Sequence, residues 1–178
     1  SFEMLKTASM KRTSDELDKI AQAPSQADKD NMLFHHWQYE TDMFASASNF
    51  GLGNSSVEKE AKQFINGMKK IWGEGKPEAG NLNTVYARNG ALKGMMPGFG
   101  YNYFTDHYGP KKASKLKLFS FQGQWGGAGV YSYEILNLVD GKRTVTQIRN
   151  AVSAEFGTIP AIYVAEYLAA LQSINVLK

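Results

Sequence analysis

Residues 138–178, LVDGKRTVTQIRNAVSAEFGTIPAIYVAEYLAALQSINVLK, decide the fold class of this chain. Val145, Ile148, Val152 and Phe156 follow one another at steps of three or four, which aligns them on one helical face. Ile162, Val164, Ala165, Leu168, Leu171 and Ile174 form a second block of the same kind, and Gly157-Thr158-Ile159-Pro160 separates the two. Asp140-Gly141 predicts a turn. Thr144 is a good N-cap for the helix after it, because its hydroxyl can accept from an amide that the first helical turn leaves free. Upstream of that turn, residues 131–139 predict a third short helix. Three short helices with tight turns, the last running into Val176-Leu177, read as a helix-turn-helix or winged-helix core. A domain of that kind is a recognition module more often than a reaction centre.

Outward from this core, Lys115-Leu-Lys-Leu-Phe-Ser-Phe121 alternates as a strand does, placing Leu116 and Leu118 on one face. Its expected partner is the short terminal strand at 176–178, since neither is long enough to persist alone. Gln122-Gly-Gln-Trp-Gly-Gly-Ala-Gly129 then predicts a tight passage into the first helix of the domain. Residues 73–115 are punctuated by Gly73, Gly75, Pro77, Gly94, Pro97, Gly98 and Gly100 and are dense in aromatics, a pattern that predicts an ordered but irregular connector. The first 72 residues read as helix: about 2–21, broken at Ala23-Pro24-Ser25; about 26–44, capped by Ser25; a turn at 49–54; and about 57–72, capped by Ser56. The last of these places Ala61, Phe64, Ile65, Met68 and Trp72 inward. The expected whole is a mainly α chain: a helical hairpin or bundle over 1–72, a connector over 73–115, and a winged-helix-like domain with a small β element over 116–178.

A chain of 178 residues with 43% hydrophobic and 12% aromatic content can bury a real core. It has no cysteine, which excludes disulfides, thiolate metal sites and thiol nucleophiles. No apolar run approaches the roughly 18 residues that a membrane span needs. The chain opens on Ser rather than Met, as a processed, excised or engineered product does. The net charge of +3 is unevenly spread: residues 1–70 hold 9 Lys/Arg against 10 Asp/Glu, and residues 71–178 hold 11 against 7. The excess gathers at Lys111, Lys112, Lys115 and Lys117, then at Lys142, Arg143 and Arg149, and a solvated basic loop and helix start accounts for it better than a binding patch.

No catalytic constellation emerges. His35-His36 with Glu40 and Asp42 is the one cluster with metal-ligating residue types, but His36 and Glu40 at helical i,i+4 spacing supply two donors where a closed zinc site needs four. The glycine-rich loop at 122–129 lacks the Lys-Ser/Thr that ends a phosphate loop, being followed by Val130-Tyr131. No G-x-S-x-G elbow is present. No cofactor is expected in this chain. The helix at 160–174 has no Lys or Arg and carries Glu166, so as a DNA recognition helix it lacks the cations that phosphate contact requires. Its apolar and aromatic character fits a protein or peptide partner instead. The expected contact residues are Leu116, Leu118, Tyr163, Tyr167 and Leu171, with no specific nucleic acid and no membrane.

The run Leu138-Val-Asp-Gly-Lys-Arg-Thr-Val-Thr-Gln-Ile148, with Ala151-Val152, Glu155-Phe-Gly157 and Val164-Ala-Glu-Tyr-Leu168, resembles two families. One is the small peptide-binding winged-helix domain of the pyrroloquinoline-quinone biosynthesis D-like proteins. The other is the C-terminal extension of bacterial di-zinc aminopeptidase-family metallopeptidases, a likeness that continues into Val85-Tyr-Ala-Arg88. The second resemblance implies a non-catalytic accessory or interaction module of a zinc-dependent aminopeptidase, whose metal ligands lie in a domain this chain does not contain. The first implies a stand-alone peptide reader that adds a partner's extended segment to its strand edge and third helix. A DNA-binding regulator ranks third.

Overall fold

The computed structural model describes residues 1–47, 55–92 and 103–178, and these form two compact units, residues 1–78 and 79–178. The chain is mainly helical. Among the described residues, β-type pairing is confined to three isolated antiparallel bridges.

The first unit is built from α1 (Phe2–Ala21), α2 (Gln26–Ala47) and α3 (Ser55–Trp72). The break between α1 and α2 falls where Pro24 forbids continuation, and Ser25 caps α2 by accepting from the Asp28 amide at 3.1 Å. Ser56 does not cap α3. The helix starts one residue earlier, and the Ser56 hydroxyl donates to Glu60 one turn on. The turn expected at 49–54 lies outside the described residues. α2 is the central helix: Met32, Leu33, Trp37 and Phe44 are buried on it, with Ala61 and Ile65 on α3 and Ile20 on α1. The rings of Phe2 and Phe64 meet that of Phe44 edge-on or tilted, each at a centroid distance of 5.8 Å. α3 stops at Gly73, whose φ of +94° is a helix-ending conformation that side chains resist, and the Gly73 carbonyl then accepts from the buried Trp37 indole at 2.8 Å. Residues 75–78 return along the start of α2, Lys76 donating its amide to the Asp30 carbonyl. Residues 73–78 thus complete the first unit and do not begin a connector.

The second unit contains α4 (Tyr103–Tyr108), α5 (Pro110–Ala113), a 3₁₀ turn (Lys117–Ser120), α6 (Ala128–Asn137), α7 (Val145–Phe156) and α8 (Ala161–Ser173). Its core joins Tyr131, Ile135, Ile148, Val152, Ile159, Val164, Leu168 and Leu171. Thr144 caps α7 as expected, in a reciprocal box: its hydroxyl accepts from the Gln147 amide and the Gln147 side chain accepts from the Thr144 amide. Asp140 closes the preceding turn by accepting from the amides of Lys142 and Arg143, and Gly141 takes φ +78°. α6 starts three residues before the expected position and ends two before it.

Two expectations fail here. The strand at 115–121 does not form: Phe119 and Phe121 donate their amides to the carbonyls of Leu116 and Leu118, coiling the chain locally. The alternation was nonetheless physical, since Leu116 and Leu118 are buried while Lys117 and Phe119 are exposed. The partner of the terminal segment is therefore a different one. Ala87 and Lys178 exchange amide and carbonyl at 3.0 and 2.8 Å, and Asn89 donates to Val176. The expected connector thus supplies structure to the second unit from Ala79 onward: Tyr86, Phe104 and Ala113 are buried in its core. The part of that connector at 93–102 lies outside the described residues.

Candidate interaction surface

Residues 82–89 run extended over the second unit and serve as a strap. Thr84 and Leu82 present their carbonyls to the amides of Val145 and Thr146 at 3.0 and 3.1 Å. These are the first two amides of α7, which no intrahelical acceptor can satisfy, so the strap supplies what the helix lacks. Val85 bridges to Thr144 and Arg88 to Leu177. The Arg88 guanidinium donates to the Leu136 carbonyl at 2.6 Å, at the carbonyl-rich end of α6, where a cation is favoured. One segment therefore ties the start of α7, the end of α6 and the terminal residues together. The isolated bridges at Val85 and Arg88 belong to this strap, and its signal in sequence was only the quartet Val85-Tyr-Ala-Arg88.

The expected contact residues fall mostly inside. Leu118 is 1% exposed, Leu171 is fully buried, and Leu116 and Tyr167 are buried at 9% and 4%. The face of α8 that looked available in sequence is packed on α6 and the 3₁₀ turn, because Val164, Tyr167, Leu168 and Leu171 share one side of the helix. Burial pushes the Tyr167 phenol above its usual range. Tyr163 alone remains partly exposed, with Lys117 above its ring at 5.9 Å.

What the second unit offers to solvent is a lysine-rimmed aromatic face. Lys111, Lys112, Lys115 and Lys117 are all exposed, because Ala113, Leu116 and Leu118 between them are drawn into the core. Lys112 stands over the Tyr108 ring at 5.8 Å. Phe119 is 39% exposed, with its ring held against Phe104 and Tyr167 at 5.3 and 5.8 Å. The charge count flagged these lysines. Only the burial of the residues among them shows that all four point outward.

The other flagged groups have structural duties. Glu40 has no exposed surface and takes a two-pronged ion pair from Arg12, at 2.6 and 2.8 Å. Thr13 hydrogen-bonds His36 Nε2 at 2.9 Å. Burial lowers the His36 pKa, Glu40 working against that shift and Arg12 with it. His35 contacts the Asn31 carbonyl through Nδ1. Among the described residues no group of three or more His, Asp or Glu could hold a metal ion. Arg149, counted with the basic excess, is buried and donates to the Ile159 carbonyl at 2.7 Å. In the glycine loop, a Cβ at Gly123 would lie 1.9 Å from the Tyr131 hydroxyl, so that glycine makes room for a buried ring. The Tyr131 hydroxyl faces the carbonyls of Phe156 and Gly157 at 2.5 and 2.7 Å, and its burial lifts the pKa to about 12.

The first unit also has a cleft of about 620 Å³ between α2 and α3, floored by Phe44, Ala61 and Ile65 and edged by Lys62 and Lys69. Among the described residues no helix is long and apolar enough to cross a membrane. No protein-family model matches this sequence, and no curated protein or solved structure matches it.

Proposed function

We propose that this chain is a non-catalytic accessory and interaction module, of the kind that follows the catalytic domain in di-zinc aminopeptidase-like hydrolases, with residues 79–178 as a winged-helix-like domain. One observation carries the reading. The two stretches that resemble the aminopeptidase extension, at 85–88 and 138–148, lie about fifty residues apart in sequence and meet at the Val85–Thr144 bridge, beside which the Val145 amide donates to the adjoining Thr84 carbonyl. A resemblance split over two segments is more persuasive when those segments build one element. Among the described residues the buried side-chain nitrogens and oxygens all have hydrogen-bond partners, which suits a module whose work is done at its surface.

Purified chain is expected to contain no stoichiometric zinc and to leave aminoacyl-nitroanilide substrates uncleaved. Zinc at one or two equivalents together with turnover overturns the proposal. Metal ligands of the di-zinc type encoded upstream of Ser1 in the reading frame would support it directly.

The stand-alone peptide reader ranks below this. Strand addition at residues 176–178 would have to displace Ala87 and Asn89, which already hold that edge.

A further inference from the structure

We infer that the lysine-rimmed aromatic face formed by α5, the 3₁₀ turn and the exposed ring edges of Tyr108, Phe119 and Tyr163 is a docking surface for an acidic polypeptide segment. This names the partner chemistry of the interaction module proposed above and rests on that reading.

From Ala79 to Tyr133 the sequence contains one acidic residue, Asp106, against six Lys or Arg. Four of those six are Lys111, Lys112, Lys115 and Lys117, gathered in seven residues and all exposed. Asp106 on α4, Glu134 on α6 and Glu166 on α8 are the acidic groups on the elements packed around the face, and none of them forms an ion pair with these lysines among the described residues. Two lysines of the first unit pair with acids one turn away, Lys6 with Glu3 and Lys11 with Asp15. Here four ammonium groups lie within seven residues with none of them ion-paired among the described residues, a concentration of like charge that a complementary chain relieves. Partly exposed aromatic rings stand beside these cations, Lys112 over Tyr108 and Lys117 over Tyr163, with Phe119 39% exposed, and aromatic surface next to charge is the mix that protein interfaces use.

The alternatives fit less well. Insertion into a membrane needs an apolar side chain free to enter the lipid, whereas the Phe119 ring is held against Phe104 and Tyr167. The face has no arginine, so the forked, two-pronged contact by which phosphate groups of nucleic acid are commonly gripped is missing, and point-charge lysines are left to attract an acidic chain.

The test uses the full chain. The probe is a fluorescein-labelled twelve-residue peptide of Glu, Asp and Leu, with a Gln/Asn/Leu peptide as the neutral control. Binding of the acidic peptide in low salt is expected, weakening about tenfold when K111E, K112E, K115E and K117E are combined and persisting when the four are changed to Arg. The same reversal at Lys59, Lys62, Lys69 and Lys70 of α3 should leave it unchanged. Absence of binding, or binding indifferent to the α5 reversal, overturns the inference. So does lysine-dependent binding to phosphatidylserine vesicles or duplex DNA that matches or exceeds binding to the peptide. Zinc content and peptidase assays report separately on the accessory-module reading, so either idea can fail alone.

Discussion

A carboxylate without exposed surface must be neutral or paired, and Glu40 is paired with Arg12 on the neighbouring helix. Arg12→Ala leaves that carboxylate buried and uncompensated, at an expected cost of about 3 kcal/mol in denaturant unfolding. Arg12→Lys should recover only part of it, because an ammonium cannot make the two-pronged contact. Beside this pair, His36 sets a pH dependence. Its folded-state pKa is below its unfolded value near 6.5, so the unfolded chain binds more protons in the interval between them. The stability contributed by neutral His36 is present above pH 6.5 and is lost as pH falls from there through the folded value. Glu16 has the opposite sign, its pKa raised from 4.5 by burial against the pull of Lys19. Thermal midpoints of the wild type should therefore fall between pH 7.5 and 5.5, and His36→Gln should flatten that slope. An undiminished slope in the variant would assign it to another group.

At the scale of elements, Thr144 is expected to contribute about 1 kcal/mol through its reciprocal cap, measured as the loss on Thr144→Ala. Two glycines in the segment leading into α6 should respond oppositely to alanine. Gly123→Ala collides with the buried Tyr131 ring and should lose about 1–3 kcal/mol, while Gly129 in α6 has nothing within 4 Å of a new Cβ and should gain about 0.5 kcal/mol. Equal thermal shifts in the two variants would refute that contrast. The helices were legible because their signals are local: Pro24 and Ser25 mark one boundary, and Asp140, Gly141 and Thr144 another. The inward face of α1 was not, because it runs through Ser9 and Thr13, each 1% exposed, and a hydrophobic count passes over small polar residues that meet a partner helix. Likewise, alternation at 115–121 reports which residues are buried without saying whether the backbone is a strand or a 3₁₀ turn. The strap was hidden for another reason. Its pairing with Thr144 and Leu177 is set by contacts fifty to ninety residues away, for which no local periodicity exists.

For the whole molecule, charge is divided as sharply as structure. Residues 79–178 hold 10 Lys/Arg against 5 Asp/Glu, a net of +5, whereas residues 1–78 hold 10 against 12, a net of −2. A basic helical unit invites a nucleic-acid reading, and the placement of its charges argues against sequence-specific recognition. If the second unit docked as a winged helix does, α8 would enter the major groove, and its exposed residues are Ile162, Glu166, Ala169, Gln172 and Ser173. None of these can neutralise a phosphate, and Glu166 would be repelled by one. The nearby arginines are committed elsewhere: Arg149 is buried on the Ile159 carbonyl, and Arg143 pairs with Asp140 at 3.0 Å. The exposed lysines belong to α5 and the 3₁₀ turn, and lysines without base-reading partners give binding that is non-specific and collapses with salt. Fluorescence anisotropy on a random 20-base-pair duplex pool at about 150 mM salt should therefore show no retained sequence, and Arg143→Ala should change nothing. A duplex that survives competitor DNA and is released by Arg143→Ala would place α7 and its preceding turn at the groove, and would raise the regulator reading from third rank to first.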